Sequence, residues 1–149
     1  IVPWINQGGR LVFHGFIDNV QAALPNASEL SIVKTTEESD NFEILLNDTR
    51  VTEGPRGVLT NKSLDGNKEA VQGYAQQHTL PTKSHAILST ANPEHVVTFS
   101  YCYGAGGVVY STIPLDVTVD NLTETPLKTI KDVYAPNLIS YTAHGKLCH

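Results

Sequence analysis

Methionine is absent from this chain of 149 residues, which also has one tryptophan and two cysteines. Because methionine does not stand at position 1, Ile1 is not a translation start, and we expect a processed or cut product. A chain of this length forms one domain with a core of its own. We therefore expect residues 1–149 to be a single domain. Its opening resembles the end of a helix, which predicts that N-terminal elements of the fold are lacking.

Charge is also scarce, and this argues against two classes of partner. Charged residues make up 17% of the chain, with 10 basic and 15 acidic side chains and a net charge of −5. Basic residues form no run that would cover a phosphate backbone, so we expect no nucleic-acid partner. No apolar run approaches the roughly 18 residues that cross a bilayer, so we expect no membrane span. The composition is that of a globular protein.

Motifs for catalysis and for metal binding are lacking as well. The six histidines do not have the spacing of a zinc site. Cys102 ends a predicted strand that enters a hairpin, whereas a nucleophile elbow needs a following helix. The sequence therefore favours a protein without a catalytic residue, a metal ligand or a cofactor. A loose surface calcium site, with oxygen ligands at Asp65, Asn67 and Glu69, is the alternative.

What the chain does contain favours an extracellular or cell-surface glycoprotein. Asn-x-Ser/Thr sequons lie in polar, turn-like stretches. There are four of them, at Asn26, Asn47, Asn61 and Asn121. In an oxidising compartment Cys102 and Cys148 would form one disulfide, which contributes about 3–4 kcal/mol by closing a loop of about 45 residues. Two free thiols are the alternative.

Apolar patterning predicts a mixture of strands and helices. Residues 11–13 form a short apolar run that is typical of a strand buried on both faces. Further strands are predicted at 30–36 and 41–46, as a hairpin or an excursion, and at 85–90, 95–101 and 108–113. Helices are predicted at 19–24, 68–77, 124–133 and 137–144, with a break at Ala135 and Pro136. This order indicates an α/β fold, and a mainly-β sandwich is the alternative. The segment after residue 144 is expected to be solvated.

Four segments in this order carry a family resemblance. They are residues 8–13, the turn at 53–57, the hairpin at 103–116 and the segment 134–141. Together they resemble the C-terminal part of class I glutamine amidotransferase-like domains, including the ThuA-like branch. The resemblance implies a partial flavodoxin-like sheet with a C-terminal β-hairpin and terminal helices. The Gly-x-Cys-x-Gly elbow of the active members is absent here, so no catalytic residue is carried over.

These observations favour a non-catalytic extracellular domain with a structural or binding role. A truncated sheet leaves an open edge, so we expect self-association or a partner chain that completes the sheet. Two alternatives stay open. One is a fragment of an amidotransferase-like hydrolase whose nucleophile lies upstream, and the other is a carbohydrate-binding domain that uses surface tyrosines such as Tyr103.

Overall fold

The computed structural model describes residues 1–15, 19–34, 42–46, 50–63, 73–115 and 129–149. The helices of this part are α1 (Val2–Asn6), α2 (Val20–Ala23), a 3-10 helix (Gln77–Thr79), a π-helical turn (Ile130–Tyr134) and α3 (Ala135–His144). The strands are β1 (Arg10–His14), β2 (Ile32–Lys34), β3 (Phe42–Ile44), β4 (Glu53–Gly54), β5 (Gly57–Val58), β6 (Gly73–Gln76), β7 (His85–Thr90), β8 (His95–Tyr103) and β9 (Gly106–Ser111). The fold is mixed α/β, as the sequence predicts.

Seven of these strands form one mixed sheet, in which β8 is the branching point. The order is β1-β9-β8-β6-β2, while β7 also pairs with β8, and β3 pairs with β7. Strand β1 runs parallel to β9, with Arg10 opposite Gly107 and His14 opposite Ser111. The other pairs of this sheet in the described ranges are antiparallel. The predicted C-terminal hairpin is β8–β9, joined by Gly104 and Ala105.

The sheet is covered on both faces, and its central strands therefore contribute side chains to two hydrophobic clusters. Successive side chains of a strand point to opposite faces. Val109 accordingly belongs to the cluster that contains Leu138 of α3, and Val12 packs against it. Val108 belongs to the cluster that contains Ile5 of α1, and Leu11 packs against that cluster. The apolar run at 11–13 is thus a strand, as predicted, but it lies at the edge of the sheet and is half-buried where burial on both faces was expected.

The predicted hairpin of residues 30–36 and 41–46 is wrong in its pairing. Both strands exist, at Ile32–Lys34 and Phe42–Ile44, but β2 pairs with β6 and β3 pairs with β7. Ile32 packs against one hydrophobic cluster and Phe42 belongs to the other. Each strand pairs where its own apolar side chains are buried, and nearness in sequence does not decide the partner.

Two helix predictions are also corrected. Residues 73–76, the end of the predicted helix 68–77, form strand β6, in which Gly73 and Ala75 are buried and alternate with half-buried residues. Pairing with β8 and β2 outweighs local helix propensity there. In place of the predicted break at Ala135 and Pro136, the helix changes type: the π-helical turn ends at Tyr134, and α3 begins at Ala135 with Pro136 in its first turn, where its missing N–H is tolerated. The predicted helical residues 68–72 and 124–128 lie outside the described ranges.

Asn137 of α3 fixes the small β4–β5 hairpin to the rest of the fold. Its side chain is fully buried. The Oδ1 atom accepts a bond from the Arg56 N–H at 3.0 Å, and Nδ2 donates to the carbonyls of Val51 at 3.1 Å and Gly57 at 3.0 Å. One amide side chain therefore pairs three backbone groups, of which the Val51 carbonyl is buried and the other two are partly buried.

Replacing Asn137 by Ala should lower the free energy of unfolding by about 3 kcal/mol, because the buried Val51 carbonyl and two partly buried backbone groups lose their partners. Urea denaturation followed by circular dichroism measures the loss. Ile139→Ala is the matched control on the same helix, since Ile139 is 58% exposed. A loss as small as that of the control would contradict the anchoring role.

Candidate functional site

The outer edge of β1 presents backbone groups that no strand of the described part pairs with. On its inner side, the Gly107 N–H donates to the Gly9 carbonyl at 3.1 Å, and the Gly15 N–H donates to the Ser111 carbonyl at 2.9 Å. Peptide groups that face one neighbour alternate along a strand. The N–H and C=O of Val12, three residues from both glycines, therefore point away from β9.

The side chains of this edge strand are only half covered. Leu11, Val12 and Phe13 are each of intermediate exposure, although all three contact the hydrophobic clusters. The equivalent run of β9, which has a strand on each side, is buried throughout. A strand added outside β1 would therefore remove further apolar surface from water.

The single tryptophan lies against Gly9, the residue that precedes β1. The indole of Trp4 is 52% exposed and packs flat against Gly9, where a Cβ atom would lie 2.3 Å from the ring. A side chain at residue 9 would therefore require the indole to shift. An exposed tryptophan thus lies near the start of β1, where it offers an aromatic contact in addition to the backbone groups of the strand.

Hydroxyl groups between the sheet and α3 form a separate buried network. Tyr134 Oη lies 2.6 Å from Thr98 Oγ1 and 2.7 Å from Ser111 Oγ, and burial raises the pKa of Tyr134 to about 12. Tyr141 Oη lies 2.8 Å from Ser100 Oγ. All five side chains are nearly or fully buried. Their hydroxyls therefore hold the helix on the sheet and are not accessible to a substrate.

The C-terminal tail, residues 145–149, is docked on the sheet, which corrects the expectation that it is solvated. Leu147 is 3% exposed, and its carbonyl accepts a bond from Ser100 Oγ at 2.8 Å. Arg10 of β1 donates to the Gly145 carbonyl at 2.8 Å, where α3 ends. The last helix and the tail are thereby joined to the first strand.

A disulfide joins the tail to the end of β8. Cys102 and Cys148 have Cα atoms 5.6 Å apart and are separated by 46 residues. A loop of this length corresponds to about 4 kcal/mol of stabilisation in the chain-entropy account. Next to it, Cys148 forms an isolated bridge with Ser84, and the His149 N–H donates to the Lys83 carbonyl at 3.0 Å.

His85 is the titratable side chain enclosed by this arrangement. It is 8% exposed, its Nδ1 lies 3.3 Å from Tyr141 Oη, and its ring meets that of His149 edge to face at 4.2 Å. Burial lowers its pKa from the usual 6.5, the charges of His149 and Lys146 lower it further, and a hydrogen bond to the Lys146 carbonyl opposes them. His85 is therefore neutral at pH 7.

Two of the predicted glycosylation sites lie in the described part of the chain. Asn26 is exposed with φ of 53°, at the turn that follows α2. Asn61 is exposed, and its Oδ1 accepts a bond from the Ile44 N–H at 2.9 Å, which leaves Nδ2, the glycan-bearing atom, outside that bond. Asn47 and Asn121 lie outside the described ranges.

No metal site or membrane-spanning helix is found within the described ranges. No group of three or more His, Cys, Asp or Glu side chains there is placed to hold a metal ion. None of the helices there has the length and apolar character needed to cross a bilayer. The calcium ligands considered at Asp65, Asn67 and Glu69 fall in a segment that the structure does not describe.

Comparison with known proteins supports the fold and goes no further. The sequence matches no protein-family model and no curated protein. Among solved structures it is similar to one described as a cytoplasmic protein from Salmonella typhimurium, with a TM-score of 0.54 and 13% identity. The match covers 93% of this chain but only 57% of that one. At this identity the likeness bears on the mixed α/β fold alone.

Lowering the pH from about 7.5 to about 5.5 should destabilise the protein partly through His85. The pKa of His85 is 6.5 in the unfolded chain and lower in the folded protein, so below pH 6.5 the unfolded chain binds more protons. The stability that is present above that pH is therefore lost as the pH falls. His85→Gln should reduce the pH dependence of the unfolding free energy, measured by urea titration across this range. His78→Gln, at an exposed position, is the control. An unchanged slope in His85→Gln would refute the assignment.

Proposed function

We propose that this protein is a non-catalytic extracellular binding domain that adds a strand from a second copy of the chain, or from a partner, to the outer edge of β1. The observation that carries the proposal is the outward-facing peptide group of Val12 on a half-buried apolar strand. Strand addition supplies the missing backbone bonds and covers the apolar side chains together.

The pattern of β1 suits a second copy in particular. Two-fold antiparallel pairing about Val12 would place Leu11 opposite Phe13. The apolar residues of the strand would then meet apolar residues of the second copy. Such self-matching is what an interface between identical chains requires.

An extracellular location is supported by the chemistry of two kinds of residue. The Cys102–Cys148 disulfide belongs to a bond type that is rare in reducing compartments. The sequon asparagines Asn26 and Asn61 are both exposed, as acceptors for glycosylation must be. The relation to the amidotransferase-like family also remains a proposal, and the parallel β1–β9 pair is the feature that supports it.

Amide hydrogen exchange at two protein concentrations tests the strand addition. At low concentration the Val12 amide should exchange rapidly, while that of Phe13, which faces β9, stays protected. At high concentration the Val12 amide should slow at least about tenfold, in step with dimer formation by sedimentation and with a blue shift of Trp4 emission. Phe13 is the internal control. A sedimenting monomer with a rapidly exchanging Val12 amide at every concentration would rule out self-association.

Production in a secretory host tests the glycosylation. Enzymatic removal of N-glycans should reduce the intact mass, and Asn26→Gln should remove the mass of one glycan because this exposed asparagine is an acceptor. Asn92→Gln, at an exposed asparagine outside any sequon, should leave the mass of the glycans unchanged. An intact mass equal to that of the bare chain would refute the glycosylation.

A further inference from the structure

A groove of about 380 Å³ lies at the start of β7, and none of its lining residues belongs to β1. It lies between residues 80–84 on one side and His149 of the docked tail on the other, with Gln77 and Ala86 also in its lining. Sites for small molecules have volumes of roughly 300–1,000 Å³. The groove is shallow and open to solvent, so its volume suits a small ligand held at the surface and not one enclosed by the protein.

The lining combines an apolar surface with cationic and neutral polar groups. Leu80, Pro81 and Ala86 supply the apolar part. Lys83 supplies an ammonium group and Gln77 an amide, and none of the described lining residues is acidic. This chemistry suits a ligand with a small apolar body and one anionic group.

The backbone of Lys83 gives a second, independent indication. Its φ is 63°, in the left-handed region that Gly or Asn occupies with less strain. The conformation is held because the His149 N–H donates to the Lys83 carbonyl, while the neighbouring Ser84 Oγ donates to the Pro81 carbonyl. Backbone strain that neighbouring bonds hold in place is common at ligand sites, and it supports a binding role for this loop.

We propose that this groove binds a small organic anion whose carboxylate or phosphate group pairs with the ammonium of Lys83. The tail forms one wall of the site, and the Cys102–Cys148 disulfide keeps that wall in place. The proposal does not depend on strand addition at β1, because the two surfaces share no residue.

Titration of the oxidised, isotope-labelled protein by NMR tests the site. Inorganic phosphate is added in one arm and citrate in the other, with ionic strength held constant by sodium chloride. The backbone amide signals of residues 82–84 and His149 should shift saturably with at least one of the two anions. Saturation with phosphate alone identifies a phosphate site, and saturation with citrate alone identifies a carboxylate site.

Two substitutions test whether anion binding depends on the Lys83 ammonium or, instead, on the backbone conformation or the net charge of the protein. Lys83→Asn removes the cation, while asparagine adopts the left-handed conformation with less strain. The thermal midpoint of unfolding should therefore stay the same or rise, while the affinity for the anion falls at least about tenfold. Lys62→Asn removes an exposed lysine outside the groove and should leave affinity unchanged. The proposal is overturned if neither anion gives saturable shifts, or if the two variants lose affinity equally.

Discussion

The antiparallel pairing of β8 with β9 is the interaction on which the other elements depend. Strand β9 carries β1 on its far side, and β8 carries β6 and β7. Both faces of the pair are buried, with Val97 in one cluster and Phe99 in the other. The hydroxyls that hold α3 also project from this pair, and its end carries Cys102. Loss of this hairpin would therefore separate the helices, the edge strand and the tail from one another.

Much of this central pair could be predicted from the sequence, because its strands satisfy local and long-range preferences together. The β-branched and aromatic runs at 95–101 and 108–113 suit strands in any context. Strand β6 shows the opposite case. Its Gly73–Gln76 segment has no strong local preference, and it is a strand because β2 and β8 lie on either side of it. Partners that are distant in the chain leave no local signal, and the wrong hairpin of β2 with β3 has the same cause.

The candidate sites differ in the same way. Sequons and cysteines are local motifs, so Asn26, Asn61, Cys102 and Cys148 could be named from the sequence. The outward direction of the Val12 peptide follows only from the register of β1 against β9. The groove was missed because its walls meet through the bond between the His149 N–H and the Lys83 carbonyl. The only signal in the sequence was the Cys148 side chain, whose bond with Cys102 brings the tail to the sheet.

The bond from Arg10 to the Gly145 carbonyl spans 135 residues, and this has a consequence for how the chain acquires its structure. Strand β1 pairs with β9, which is synthesised about a hundred residues later. At roughly 5–20 residues per second, a ribosome takes on the order of 5–20 s to supply that partner. During that interval the apolar side chains of β1 lack their native contacts with β9. Native contacts between residues so far apart in sequence make folding slow. The exposed apolar strand is therefore a binding site for chaperones during synthesis.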